Sequence, residues 1–278
     1  MEPILTVITV CYEAAADIEK TLQSVLAQRF TDYEYVIVDG GSRDGTLEII
    51  QAFKEPLRER CRGVTVISEP DEGIYDAMNK GIRQARGEWV LMLNAGDTLA
   101  DSLVLEDIFA GKDYEADVLY GDAVLRDRHR GREVFKAFPA MALSEMAQGL
   151  PFCHQAAFAR RSLLEKYPFE TRFSISADYD QFLRAWMEGA SFFHLPRVVA
   201  IFDCGGVCLR QPHVTMAQCD EVRKYRNFQG DPASGLRRIR GMARGAVKRL
   251  VPGLFYSHGR GWRDRLARDS EGRVRTEV

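Results

Sequence analysis

Long apolar runs are missing from this 278-residue chain; the longest, near Ile4 to Cys11, is about eight residues. A membrane-spanning helix requires roughly 20. No basic-then-apolar leader opens the sequence, so the expectation is a soluble, cytoplasmic, non-exported protein. Cysteine is sparse: Cys11, Cys61, Cys153, Cys204, Cys208 and Cys219 are scattered, with no CxxC pair. That pattern suggests neither a disulfide framework nor a zinc knuckle, and it suits a reducing compartment. Internal repeats and low-complexity linkers are also lacking. So is an overall basic excess, the net charge being -2. The neutral total conceals an asymmetry, because residues 235–278 carry 12 Lys+Arg against 4 Asp+Glu while the body before them is acidic. An acidic body argues against nucleic acid as a partner.

What is present is a rhythm. Ile4 to Cys11, Glu34 to Val38, Val64 to Ile67 and Trp89 to Leu93 are β-rich runs. Ile18, Leu22, Val25 and Leu26 recur at helical spacing between the first two, and Asp44 can cap a helix carrying Leu47, Ile50 and Phe53. Four strand-then-loop units in about 95 residues predict an α/β fold with an open, mostly parallel sheet. Ligands of such sheets sit beyond the carboxyl ends of the strands. The polar clusters fall there: Tyr12-Glu13, Asp39, Glu69 to Asp71, and Asn94 to Asp97. From about Ala116 the rhythm gives way to shorter strand candidates, Val118–Tyr120, Glu133–Phe135 and Ala156–Phe158, mixed with helices. A break at Gly230-Asp231-Pro232 precedes the basic tail.

Several residues have both a chemical and a structural reading. Asp39 is either a strand-end carboxylate that contacts a base or ribose, or a turn residue of Asp-Gly-Gly-Ser. Asp97 is either a ligand for a divalent ion or the N-cap of a following helix. Of Asp178 and Asp180, one is expected to cap the helix that carries Phe182, Leu183 and Trp186, and the other to reach the cleft as general base. Spacing alone leaves that choice open. His154-Gln155 follows Pro151-Phe-Cys153 as a polar pair before an apolar strand. Gly205-Gly206 is either a loop or a close approach of backbone to a ligand.

Taken together, these segments resemble the family 2 glycosyltransferases of GT-A fold over roughly residues 3–228. The resemblance is carried by Thr9-Val-Cys-Tyr12, Val38-Asp39-Gly-Gly-Ser-Arg-Asp-Gly-Thr46, Glu69-Pro-Asp71-Glu-Gly73-Ile-Tyr-Asp-Ala-Met-Asn79-Lys80-Gly81, Leu93-Asn-Ala-Gly-Asp97, Pro151-Phe-Cys-His154-Gln155 and Ala177-Asp178-Tyr-Asp180-Gln-Phe-Leu-Arg184. The third stretch is most similar to bacterial enzymes that assemble exopolysaccharide and O-antigen repeat units. The resemblance implies an inverting hexosyl- or N-acetylhexosaminyl-transfer enzyme with a nucleotide-diphosphate sugar as donor, a UDP-sugar by default. The acceptor would be a hydroxyl of a glycan or a lipid-linked molecule. Asp178 takes the place of the catalytic base. Thr9, Tyr12, Glu13, Asp39, Asp71, Lys80 and Asp97 fall on the donor side, and His154, Gln155, Asp180, Gly205 and Gly206 are donor-sugar or acceptor candidates. A divalent cation, Mg²⁺ or Mn²⁺, would be held by Asp97. Two departures stand out: Glu13 replaces a common Asn, and Asn94-Ala-Gly-Asp97 keeps one carboxylate of an acidic metal motif, with His213 a candidate second ligand. The implied organisation is a GT-A domain over 1–230, with a nucleotide-sugar half (1–115) and an acceptor-side half (116–230), and a basic extension over 231–278.

In that extension Leu236, Ile239, Met242, Ala243, Val247 and Leu250 recur at helical spacing among Arg237, Arg238, Arg240, Arg244, Lys248 and Arg249. A basic amphipathic helix over 235–250 either lies on an anionic membrane, making the protein peripheral on the inner face of the cell membrane, or docks on the acidic body. Two other functions compete with a transferase. A sugar nucleotidyltransferase usually carries a Gly-rich basic loop after its first strand, where this chain has Tyr12-Glu-Ala-Ala-Ala16. A non-catalytic nucleotide-sugar-binding scaffold would sit oddly with Asp39, Asp97 and Asp178 all present.

Overall fold

The computed structural model describes residues 2–129, 132–203, 211–228, 262–263 and 265–275. Gly205, Gly206 and the 235–250 stretch lie outside the described residues.

The first half builds strands β1 (Leu5–Cys11), β2 (Tyr33–Asp39), β3 (Gly63–Ser68) and β4 (Trp89–Met92). Helices α1 (Ile18–Leu26), α2 (Thr46–Arg60) and α3 (Ile74–Gln84) connect them. All four strands are parallel, in the order β3-β2-β1-β4. Parallel neighbours need a crossover, which the three helices supply. Every side chain of β1, β2 and β4 is buried, because helices cover both faces. Alternate residues supply the two cores: Leu5, Val7 and Cys11 pack with Ile18, Leu22 and Ile50, whereas Ile8 and Val10 pack with Tyr75, Met78 and Ile82. Helix α3 lies close against β1 because residue 81 is glycine; a Cβ there would stand 2.5 Å from Ile8 Cγ2.

The second half extends the same sheet with reversed strands. After β5 (Thr98–Leu99) and α4 (Val104–Phe109) come β6 (Val118–His129), β7 (Arg132–Phe138), β8 (Ala157–Arg160), α5 (Arg161–Lys166), α6 (Ala177–Met187), β9 (Phe192–Asp203) and α7 (Pro212–Tyr225). Strand β8 pairs antiparallel with both β4 and β6, and β7 pairs antiparallel with β6. Strand β9 runs parallel to β6 with register shifts beside Gly121, where a Cβ would meet Arg197 O at 2.6 Å. Among the described residues the sheet has ten strands, ending in β10 (Trp262–Arg263) on the β7 edge. The three strand candidates past Ala116 lie in β6, β7 and β8. No described helix is long and apolar enough to cross a membrane.

The chain leaves β1 toward β2 and β3, then returns to place β4 on the other side of β1. That reversal opens a crevice beyond the carboxyl ends of β1 and β4. Reaching across it are the start of α6, the end of β9 and α7.

Candidate active site

One wall forms around Gly40, just past β2. A Cβ at this position would sit 2.5 Å from Asp71 Oδ2 and 3.2 Å from Tyr12 Cδ2, so glycine lets the carboxylate and the ring converge here without displacement. Tyr12 is 65% exposed, an open aromatic face. Asp71 accepts from Gly73 N–H at 2.9 Å, fixing the entry to α3. Beneath them Asp39 is fully buried, its carboxylate accepting from the hydroxyls of Ser42 (2.5 Å) and Ser68 (2.6 Å). Cys11 lies beside it, and burial, together with the Asp39 charge, pushes its thiol up to about 12. Glu13, with φ of 48°, accepts from Arg43 N–H, and its own N–H donates to Ser42 Oγ, locking the first two loops together. Lys80 of α3 is held by Glu69 (2.9 Å) and the Pro70 carbonyl (2.8 Å) of the preceding loop and by Asp76 (3.6 Å) one turn back on its own helix.

The turn after β4 is fixed from three sides. Asp97 N–H donates to Asn94 O at 3.0 Å, Gly96 takes the left-handed φ of 98°, and Thr21 of α1 accepts from Gly96 N–H while donating to Asp97 O. Arg126 of β6 donates to Gly96 O. Strand β5 follows the turn at once and α4 starts only at Val104, so Asp97 is not a helix cap. Its carboxylate, 7% exposed, accepts from Gln155 Nε2 (3.0 Å) and Asp203 N–H (3.1 Å). Burial raises it from 3.8 to about 6 against the lowering effect of these donors, His154 and Arg126.

The opposite wall begins at α6. Gln218 of α7 accepts from the N–H groups of Ile175 and Ser176, and Tyr75 of α3 donates to Ile175 O at 2.6 Å. These contacts fix the helix start, and Asp178 in its first turn lines a cleft of about 490 Å³ with His154, Gln155, Phe152, Phe202 and Met216. Asp178 Oδ2 faces His154 Nδ1 at 3.1 Å; Oδ1 accepts from Tyr179 N–H at 2.8 Å and lies 3.3 Å from Tyr75 Oη. His154 Nε2 in turn lies 3.5 Å from Asn94 Nδ2. The His154-Gln155 pair therefore bonds both ends of the Asn94–Asp97 turn, and through His154 the turn reaches Asp178.

Two expected contacts are corrected. Thr9 does not reach the cleft: it is fully buried, donates to Leu93 O at 2.7 Å and shares a hydrogen bond with Tyr35 Oη. As an odd-numbered residue of β1 it faces the α1 side, and its hydroxyl must find partners inside. Asp180 does not face substrate or cap α6. It is fully buried, paired with Arg184 (2.9 Å) and held by Arg226 of the α7 end at 2.7 and 3.0 Å. His213 is exposed on α7, and among the described residues no group of three or more His, Cys, Asp or Glu is placed to hold a metal.

Residues the sequence did not single out complete the Asp97 side. Lys20 Nζ stands 3.4 Å and Arg126 Nε 3.7 Å from Asp203 Oδ2. Their positions follow from strand pairing and helix packing, with no local motif to announce them. The Asn94–Asp97 turn offers one carboxylate to a divalent ion taken mainly by substrate phosphates and water, a mode Mg²⁺ commonly uses with one or two carboxylates. Asp97 would be the protein ligand.

A parallel sheet with its crevice between β1 and β4, flanked by an antiparallel second half, is the GT-A type of α/β architecture. The match to solved structures agrees. The chain superposes on TarS residues 1–349 from S. aureus with a TM-score of 0.58 at 19% identity, covering 80% of this chain and 72% of that one. It superposes on the mannosyltransferase PcManGT of Pyrobaculum calidifontis, solved with GDP-Man and Mn²⁺, with a TM-score of 0.57 at 20% identity over 90% and 81%. Against the longer TarS chain it spans 37% of the length. The family model for glycosyl transferase family 2 matches residues 6–168. A PGL/p-HBAD biosynthesis glycosyltransferase of Mycobacterium bovis is 35% identical over 191 residues, 68% of this chain and 72% of the relative. The putative teichuronic acid biosynthesis glycosyltransferase TuaG of Bacillus subtilis is 38% identical over 96 residues, 34% and 37% of the two chains. The chain belongs to glycosyl transferase family 2, and the transferase reading stands over the nucleotidyltransferase and scaffold ones.

Proposed function

We propose that the protein is an inverting glycosyltransferase that moves a hexosyl or N-acetylhexosaminyl group from a nucleoside diphosphate sugar to a hydroxyl of a glycan or lipid-linked acceptor in bacterial surface polysaccharide synthesis. The observation that carries this reading is Asp178, held at the head of α6 in the 490 Å³ cleft and joined through His154 to the turn that bears Asp97. Residues 1–115 take the donor and 116–230 shape the acceptor side, with the nucleoside lying over Gly40 between Tyr12 and Asp71. Contact of the base with Asp39 requires the Ser42 or Ser68 hydroxyl to yield its place.

Asp178 removes the proton of the acceptor hydroxyl. The oxygen attacks the anomeric carbon from the face opposite the diphosphate, and the glycosidic electron pair leaves with the nucleoside diphosphate. When bound at Asp97, a divalent ion supplies positive charge to the departing diphosphate. Lys20 and Arg126 stand at the same end, where Asp203, and for Lys20 also Asp17, offset their charge. A UDP-sugar is the default donor; the neighbours include TarS complexes with UDP and UDP-GlcNAc. The basic 235–250 stretch is assigned to an anionic membrane surface, which would bring the enzyme to a lipid-linked acceptor.

The test is nucleoside diphosphate release from UDP-GlcNAc, UDP-glucose and GDP-mannose, with Mg²⁺ or Mn²⁺ and with candidate acceptors. We expect one donor to turn over and Asp178→Asn to reduce kcat by about 10²- to 10⁴-fold, the range for loss of a general base. Tight donor binding without turnover under every acceptor would refute the catalytic reading.

A further inference from the structure

The His154-Gln155 pair and the Asn94–Asp97 turn are about 60 residues apart in sequence, yet they bond residue for residue, His154 to Asn94 and Gln155 to Asp97. Gln155 has its amide orientation set by the Cys153 thiol, which donates to Oε1 and leaves Nε2 to donate to Asp97. His154 has its tautomer set by the same logic. An ionised carboxylate only accepts, so the nitrogen facing Asp178 Oδ2 at 3.1 Å must carry a hydrogen. In a neutral ring the other nitrogen then accepts, and Asn94 Nδ2 is the donor placed on it. Asn94 Oδ1 is buried with no hydrogen-bond partner among the described residues, so the contact with His154 is the side-chain bond this amide makes there.

We propose that His154 is a positioning residue for the Asp178 carboxylate, held as its Nδ1–H tautomer by Asn94, so that the general base is oriented from the same turn that carries Asp97. This rests on Asp178 being the base. Tyr179 N–H and the Tyr75 hydroxyl, which Ile175 O shares, donate to Oδ1, His154 Nδ1–H donates to Oδ2, and together they fix the rotation of the group. A remaining lone pair is then presented to the acceptor hydroxyl in one geometry.

The tautomer can be read without any substrate. Long-range ¹H–¹⁵N correlation spectra of the full chain resolve the ring nitrogens of its five histidines, with His154→Gln providing the assignment. We expect Nδ1–H for His154 in the unmodified protein and a shift toward Nε2–H in Asp178→Ala. An Nε2–H ring in the unmodified protein would overturn the proposal. The second arm uses whichever of UDP-GlcNAc, UDP-glucose and GDP-mannose turns over. Asparagine can place an N–H where Nδ1 stands, and glutamine can place one only where Nε2 stands. We expect His154→Asn to keep kcat within about 10-fold, while His154→Gln loses roughly 10- to 100-fold in kcat, the range for a lost hydrogen bond to a charged group. Donor KM should change less than threefold in both. Equal losses in the two variants, or a loss confined to KM, would overturn the positioning role. Full turnover in Asp178→Ala would instead remove the base assignment itself, a result distinct from either.

Discussion

Asp178 and Asp180 are two residues apart at the head of one helix, and their environments could hardly differ more. Asp178 opens on the cleft with hydrogen-bond donors on both oxygens; Asp180 is sealed among Arg184 and Arg226. A second contrast lies in the groups that burial keeps neutral. Cys11 is raised from 9.0 to about 12, Tyr179 from 10.0 to about 12, and Tyr33 and Tyr35 are raised further, each chiefly by desolvation. At pH 8 and below all four are protonated in the folded chain and largely so in the unfolded one, and they add little pH dependence. Above it the unfolded chain loses these protons first, so stability falls as pH rises through the folded values. The slope is about 1.4 kcal/mol per pH unit for each group that has titrated only in the unfolded chain. Urea titrations at pH 7, 8 and 10.5 should give similar midpoints at the first two and a clear drop at the third. An unchanged midpoint at pH 10.5 would contradict the buried placement of these groups.

At the scale of elements, the Asp180 pairing ties α6 to the end of α7, and so holds together the two helices that wall the cleft. Removing a buried charge while leaving its two guanidinium partners in place costs about 3–5 kcal/mol. Asp180→Asn should therefore lower the unfolding midpoint severely, while the fraction that remains folded retains Asp178 in place and turns over normally. Loss of turnover at undiminished stability would return Asp180 to the catalytic machinery. The parallel half of the sheet was legible in sequence because each strand is a short apolar run ending in a polar loop, and helical spacing fills the intervals. The antiparallel half was legible only as strand fragments; the pairing of β8 between β4 and β6 is decided by tertiary packing. The same limit explains Thr9. Its motif reads as part of a strand end, but the period of two along β1 turns it toward α1, and nothing local announces which face the ligand will occupy. The Asn94–Asp97 turn and His154-Gln155 were each visible, and their union was not, because it depends on β4 and β8 becoming neighbours.

For the molecule as a whole, the basic extension poses the question of what it binds, and the structure changes how that must be asked. The chain returns to the body beyond residue 261. Trp262–Arg263 adds a strand to the β7 edge, Val274 is 1% exposed in the core, and Val274 N–H donates to Asp101 at 2.9 Å. Arg273 grips Asp107 through two hydrogen bonds of 2.6 and 2.9 Å and holds that carboxyl below its usual range. Part of the acidic body thus receives residues 262–275 of the basic extension. Deleting 235–278 would strip away these contacts together with the six cations between Arg237 and Arg249, so lost membrane partition could reflect a damaged fold. Substituting Arg237, Arg238, Arg240 and Arg244 by Gln in the full chain separates the two. If 235–250 meets an anionic surface, each removed cation should weaken binding to phosphatidylglycerol-containing vesicles by about 1 kcal/mol, near fivefold. Binding to pure phosphatidylcholine should be weak and unaffected, and added salt should act in the same direction as the substitutions. Vesicle binding that is insensitive to all four changes, at an unaltered unfolding midpoint, would leave the membrane role without support.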